Sequence, residues 1–327
     1  MTQFSTMAAH GARCRLDGHA CTLHDLTTRF DAELFRRFYH ELLVPNFPLD
    51  DELVPWEETL ACAADAAEQA DPATYTMILR VVVSDGSGAI VAGHMSEFYP
   101  NSSAGLLAYF VAAEGFRGCG LGRWLVEDAI CTMHHQAQLR GHDHCSSILA
   151  ETNAPGVSDG VMVATERHRV LAHLGFQQVD FPYIQPPLKA EGKGACGDML
   201  LLAYVGPVCG AYDGAQQLSC AEVLAWVGEL AFSIFESKVF ETTPWWAVMA
   251  DKCVVGAGAE APTAELMPLR SPRGGAACPK VRGSYLLLRR NGATHKKDWW
   301  EMIKFNYDSL SSPRRRQLRF ELADVYN

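Results

Sequence analysis

Hydrophobic positions first recur at helical spacing over Asp31 to Leu43, where Leu34, Phe35, Phe38 and Leu42 share one face and Glu33, Arg36, Arg37 and Glu41 take the other. Pro45 and Pro48 stop that helix, and a second, over about residues 50–70, ends at the Asp71-Pro72 step. The pattern then turns β-branched and aromatic. Tyr75 to Val83 runs into Asp85-Gly86-Ser87-Gly88, and Ala89 to Tyr99 returns as the second arm of a hairpin. Pro100-Asn101-Ser102-Ser103 reverses the chain again into Gly105 to Ala113, a third strand. Leu121, Leu125, Ala129 and Met133 form an i, i+4 stripe that predicts a helix to roughly Leu139, where Gly141 ends it. Cys145 to Ala150 is a strand, Ala164 to His173 a helix, and Phe176 to Ile184 and Met199 to Val205 two further strands. This order predicts an α/β fold in which helices flank one mixed, mostly antiparallel central sheet.

Beyond Gly206 the character changes. Ala221 to Phe235 is helical in pattern, whereas Gly256 to Ala277 is rich in Gly, Ala and Pro and has no period. Val281 to Arg290 suits a strand, and Trp299 to Leu310 and Arg314 to Val325 suit helices. The expected organisation is a flexible terminus over residues 1–20, a catalytic domain over 21–206 and a C-terminal extension over 207–327 packed on that core.

The chain has 327 residues, 48% of them hydrophobic, which is enough for one large core or two modest ones. Its formal net charge of −10 argues against a general affinity for nucleic acid or for an anionic membrane surface. Residues 1–20 hold no apolar run that could serve as a signal-peptide core, and no stretch approaches a membrane span, so a cytoplasmic location is expected. The eleven cysteines are scattered without a CxxC pair, which points to reduced thiols rather than a disulfide framework or a zinc knuckle.

The strongest chemical feature runs from Tyr109 through Phe110, Ala112 and Glu114 to Arg117-Gly118-Cys119-Gly120-Leu121-Gly122. A strand ends, a glycine turn follows and a helix begins. Glycines let backbone N–H groups converge on an anion, and the positive end of a helix dipole stands behind them, so the segment is a pyrophosphate cradle. A P-loop would need Lys and Ser/Thr at places where this segment has neither. A dinucleotide fold would carry its glycines after the first strand of a parallel unit, not in mid-chain after a hairpin.

Arg117, Gly120 and Gly122 match the R/Q-x-x-G-x-G/A signature, and over roughly Cys21 to Val205 the chain resembles the GNAT acetyltransferases in motif, in element order and in the later Leu174-Gly175-Phe176 step. The resemblance implies acetyl-CoA as co-substrate, without a metal. It places the pantetheine along backbone of the strand holding Phe110 and Ala112, and the pyrophosphate on N–H groups of Gly118, Cys119, Gly120, Leu121 and Gly122. The arm would enter a splay between that strand and the one ending at Ala150-Glu151, with Asn153 as a further contact. The activity implied is direct transfer of an acyl group to an amine acceptor, a small molecule. The alternatives are an acyl-CoA-binding sensor or scaffold without turnover, and an acyltransferase acting on a protein or peptide.

Acyl transfer from a thioester to an amine requires a neutral amine, an oxyanion donor and a proton for the departing thiolate. Family members usually supply that proton from a Tyr four residues before the glycine of the G-F step, and this chain has Leu171 there. About eleven extra residues, around Ala154 to Ala164, also separate Asn153 from the next helix. Glu151 is the base candidate, Glu97 a second carboxylate for the base or for the substrate's ammonium, Tyr183 the replacement acid and Tyr109 its reserve. Cys119 lies in the cradle, where only its backbone is needed.

His134, His135, His142, His144 and Cys145 resemble a metal cluster, but adjacent histidines on a helix point about 100° apart, and a solvated helix end is the simpler account. Arg314-Arg315-Arg316 with Arg319 reads as a solvated helix face. Trp245-Trp246 and Trp299-Trp300 can pack on the core, wall the acceptor pocket or meet a second copy in a homodimer.

Overall fold

The computed structural model describes residues 11–267 except 17–18, 50–51, 69–74, 189–194, 207–217, 236–237, 254–262 and 265. The expected strand at Val281, the helices after Trp299, Trp299-Trp300 and the arginine patch lie outside the described residues.

Among the described residues there are eleven strands: β1 Arg13–Leu16, β2 His19–Asp25, β3 Thr76–Ser84, β4 Ile90–Tyr99, β5 Ala104–Ala112, β6 Ser147–Asn153, β7 Phe176–Val179, β8 Met199–Tyr204, β9 Leu218–Ser219, β10 Thr263–Ala264 and β11 Leu266–Met267. The helices are α1 Ala32–Arg37, α2 Val44–Asn46, α3 Trp56–Glu68, α4 Leu121–Leu139, α5 Ala164–Leu174, α6 Cys220–Phe235 and α7 Pro244–Lys252. Nine strands form one sheet in the order β1-β2-β3-β4-β5-β6-β8-β7-β11. Every neighbouring pair is antiparallel except β5 and β6, which run parallel because α4 carries the chain back over the sheet between them. This is the mixed, mostly antiparallel sheet that the sequence predicts.

Alternation along β3 and β4 sends residues to opposite faces. On one face Ile78 and Phe98 join the buried stripe of α4 (Val126, Ala129, Ile130, Met133) and α5 (Leu171, Leu174). On the other, Met77, Leu79 and Met95 pack beneath Phe35, Phe38 and Leu43. Beside them Tyr99, Leu106, Leu149 and Leu201 pack against Val223, Trp226, Val227 and Leu230 of α6. Glu229 of α6 fastens this helix to the β4–β5 turn, where it accepts the N–H groups of Asn101 and Ser102, each at 2.9 Å. Trp245 and Trp246 are partly buried against the same cluster.

The first face also buries a charged row. Asp25, Arg80 and His94 stand opposite one another across β2, β3 and β4. Asp128 of α4 reaches Arg80 at 3.3 Å and His94 at 3.2 Å, Asp25 reaches Arg80 at 3.1 Å, and Ser96 lies 2.9 Å from the other nitrogen of His94.

Several boundaries differ from expectation. Residues 11–20 are not wholly a flexible terminus: β1 and the start of β2 edge the sheet, with Cys21, Leu23 and Asp25 buried at alternate positions. The first helix passes Pro45 because a π turn over Phe38–Leu43, closed by Val44 N–H on Tyr39 O, links α1 to α2. Asp31 caps its start, accepting from the N–H groups of Glu33 and Leu34 at 3.0 Å. The second helix starts after Pro55 rather than at residue 50. β7 stops at Val179, before the proline-bearing run Phe181 to Pro187, where missing N–H donors leave only an isolated bridge between Gln185 and Cys196.

Candidate active site

β5 and β6 pair only from Ala104↔Ser147 to Leu107↔Ala150, although β5 continues to Ala112 and β6 to Asn153. The parting begins at a bulge: Met95 faces Tyr109 and Glu97 faces Leu106, so β5 holds an extra residue at Leu107-Ala108. Past that point the edge of β5 that faces the gap has no strand partner among the described residues, and the gap opens into a cavity of about 1180 Å³.

At the far end of β5 stands the glycine turn. Gly118 has φ +82° and Gly120 φ +90°, left-handed values that suit glycine, and a Cβ at 118, 120 or 122 would meet nothing within 4 Å. These glycines line the cavity with their backbone alone. Gly120 is the N-cap of α4 and no side chain caps the helix. Among the described residues no acceptor takes the N–H groups of 118–122, and the backbone of Gly118, Gly120 and Gly122 and the positive end of a 19-residue helix border the cavity. An extended anion fits that row.

Arg117 donates from Nε to Ala112 O at 3.1 Å and from Nη2 to Asn46 Oδ1 at 2.9 Å, which stitches the turn to the end of β5 and to α2. Phe110 and Ala112 are half-buried and line the gap. Cys119 and Leu121 do not line it. The Cys119 thiol donates to Phe116 O at 2.9 Å, and Leu121, 1% exposed, packs in the core. Asn153 lines the cavity with its amide already donating to Glu52 at 2.6 Å and its carbonyl accepting from His168 at 2.8 Å.

At the other end two carboxylates face the cavity, Glu97 from β4 and Glu151 from β6. Tyr99 donates its hydroxyl to Glu97, Tyr183 donates to Glu151, and Gln185 Nε2 donates to the second Glu151 oxygen at 3.1 Å. Burial pushes the Glu151 carboxyl up to about 7, a rise that the two hydrogen bonds oppose and the negative charge of Glu97 adds to. Burial likewise raises Glu97, and neither carboxylate has an ion-pair partner among the described residues.

Tyr183, 5% exposed, stands behind Glu151 and not in the cavity wall, and burial holds its phenol well above the ordinary range. Tyr109 does line the cavity. Its oxygen accepts Val54 N–H at 3.4 Å, and its own proton has no acceptor among the described residues. Leu171 also lines the cavity, at the place where the resemblance leads one to expect a tyrosine.

Solved structures similar to this chain include proteins described as acetyltransferases. A GNAT-family acetyltransferase from Bacteroides thetaiotaomicron is 17% identical, with 66% of this chain and 99% of that one covered and a TM-score of 0.41. One from Elizabethkingia anophelis with acetyl-CoA bound is 16% identical, over 56% and 97%, with a TM-score of 0.33. The ribosomal-protein-S18-alanine N-acetyltransferase of Escherichia coli is 15% identical, over 56% and 92%, also at 0.33. No protein-family model matches the chain, and no curated protein does.

Sequence reading missed several walls of the cavity. Arg123, directly after the last cradle glycine, brings positive charge to it and donates to His173 O at 2.9 Å, and Arg167 of α5 lines it while paired with Asp159. The extra segment before α5 contributes Val161 and Met162, whose N–H groups Asp159 accepts at 2.9 and 3.1 Å. Leu230, Ser233 and Ile234 of α6 complete the wall near the carboxylates. The histidine group does not converge: His134 is buried, accepts Cys145 N–H at 3.0 Å and is lowered to about 4 by burial, while His135, His142 and His144 are exposed. Among the described residues no set of His, Cys, Asp and Glu is placed to hold a metal ion, and no helix is long and apolar enough to cross a membrane.

Proposed function

We propose that this protein is an acyl-CoA-dependent N-acyltransferase that uses acetyl-CoA and an amine acceptor. One observation carries the reading: the parallel pair β5–β6 comes apart between an uncapped glycine turn and a pair of carboxylates, all facing one cavity. The backbone N–H groups of Gly118, Gly120 and Gly122 bind the pyrophosphate, with Arg123 adding positive charge. The unpaired edge of β5 gives the pantetheine a strand to lie along. From the cradle to the level of Leu106–Ala108 the strand spans roughly 13–20 Å, which sets the thioester beside Glu97, Tyr109 and Glu151. Coenzyme A supplies the activated acyl group as a thioester.

Glu151 is the base. With a midpoint near 7 it is ionised over neutral to alkaline pH, and it is basic enough to take a proton from an ammonium held against it. The amine nitrogen bonds to the acyl carbon, the carbon–sulfur bond breaks, and the sulfur leaves as thiolate. Tyr109 gives that thiolate its proton, and the second proton that the nitrogen sheds as it becomes an amide restores the phenol. The acid role considered for Tyr183 passes to Tyr109, because the Tyr183 hydroxyl is committed to Glu151, which makes Tyr183 a positioning residue. N–H groups on the free edge of β5 stabilise the oxyanion.

The test is thiol release from acetyl-CoA against a panel of small amines, run beside calorimetry with coenzyme A. Binding with no release for any amine or peptide acceptor would favour the second reading, an acyl-CoA sensor, which Leu171 in the usual acid position supports. Absence of coenzyme A binding would remove both.

A further inference from the structure

We infer that α6 completes the acceptor half of the cavity and that the acceptor is an amine carrying an apolar chain or ring, with its nitrogen at Glu97 and Glu151 and its apolar body on Leu230 and Ile234. The assignment of the ligand as an acceptor rests on the acyltransferase reading, whereas its chemistry follows from the cavity wall.

Trp226 of α6 is fully buried between two tyrosines. Its ring centroid lies 6.1 Å from Tyr183 at an interplanar angle of 26°, and 6.4 Å from Tyr99 at 84°. Those tyrosines donate to Glu151 and Glu97. One indole therefore backs both carboxylate–phenol pairs, and Trp226 is a positioning residue. Leu230, Ser233 and Ile234 follow it at i+4, i+7 and i+8, on the same face of the helix, and all three line the cavity. The clasp of Glu229 on the β4–β5 turn fixes how far this face stands from β4.

The charges and surfaces at this end select the ligand. Two half-buried carboxylates held by neutral donors, with no described cation beside them, favour a positive nitrogen. The surrounding wall offers Met77, Met199, Leu230 and Ile234, which gain by covering hydrocarbon.

The experiment measures binding of ethylamine and hexylamine to the full chain by calorimetry, with and without coenzyme A. Each methylene buried is worth about fourfold, so hexylamine is expected to bind roughly tenfold or more tighter than ethylamine. Leu230→Asn and Ile234→Asn should bring the two amines close together, and Trp226→Phe should weaken both while keeping their ratio. Ser233→Trp, which fills the wall from a half-buried position, should cost hexylamine more than ethylamine and serves where a core variant does not fold. Equal affinity of the wild type for the two amines, or an unchanged ratio in both Asn variants, would overturn the inference. Selective hexylamine binding without thiol release would leave it standing and overturn the acyltransferase reading instead.

Discussion

Replacing Glu151 by Gln should separate the electrostatic cost of the site from its chemistry. In the unfolded chain this carboxyl ionises near 4.5, and in the folded protein near 7. Below 4.5 both states hold the proton. Between 4.5 and 7 only the folded state does, so stability falls as pH rises across that window, and the full deficit is present above it. The gap between the two midpoints corresponds to at most about 3 kcal/mol. Gln keeps an oxygen to accept from Tyr183 but never ionises. Urea unfolding at a series of pH values should therefore show the variant gaining on the wild type by up to about 3 kcal/mol between pH 5 and pH 8. Acyl transfer should move the other way. The wild-type kcat/KM should rise with pH through about 7, whereas the variant should lose that limb and run roughly 10²-fold slower. Stability curves that stay parallel across the window would refute the burial argument for Glu151. An unchanged pH–rate limb in the variant would refute its role as base.

Gly122→Asp puts a carboxylate into open space at the cradle without the backbone strain that Gly118 or Gly120 would add, so coenzyme A affinity should fall at least tenfold by calorimetry while Tm holds. Tyr109→Phe should slow turnover by roughly 10²-fold with little change in coenzyme A affinity, and Tyr183→Phe should instead shift the pH midpoint of kcat/KM upward, because Glu151 loses a hydrogen bond to its charged form. Arg80→Met removes the guanidinium that pairs with both Asp25 and Asp128 and should cost about 3–5 kcal/mol in denaturant unfolding.

The parts of the fold written in local pattern were legible in the sequence. The stripe Leu121, Leu125, Ala129, Met133 sets α4 to the residue, and the turn at Asp85 to Gly88 sets the β3–β4 hairpin. β2 was missed because its alternating Cys21, Leu23 and Asp25 include a carboxylate whose ion-pair partner, Arg80, is distant in the chain. The glycine turn and the start of α4 were legible because glycine conformation and helix start are local. The carboxylate end was half legible: strand ends nominated Glu97 and Glu151, but the partners that tune them, Tyr99, Tyr183 and Gln185, depend on how four strands and a loop meet. Nothing local marks Trp226 as the residue behind both.

β4 carries two chemistries on its two faces. Met95 and Glu97 look into the cavity, while His94 and Ser96 are sealed beneath α4 with Asp128. A slip of one residue would exchange them, placing Glu97 against Asp128 and offering an imidazole and a hydroxyl to the cavity. The row Asp25, Arg80, His94 prevents this, since each member must stand opposite its neighbour for the guanidinium to be neutralised. Although His94, Ser96 and Asp128 have the makeup of a hydrolytic triad, with Ser96 0% exposed they meet no substrate. They work as an alignment key that keeps the other side of the same strand facing the cavity.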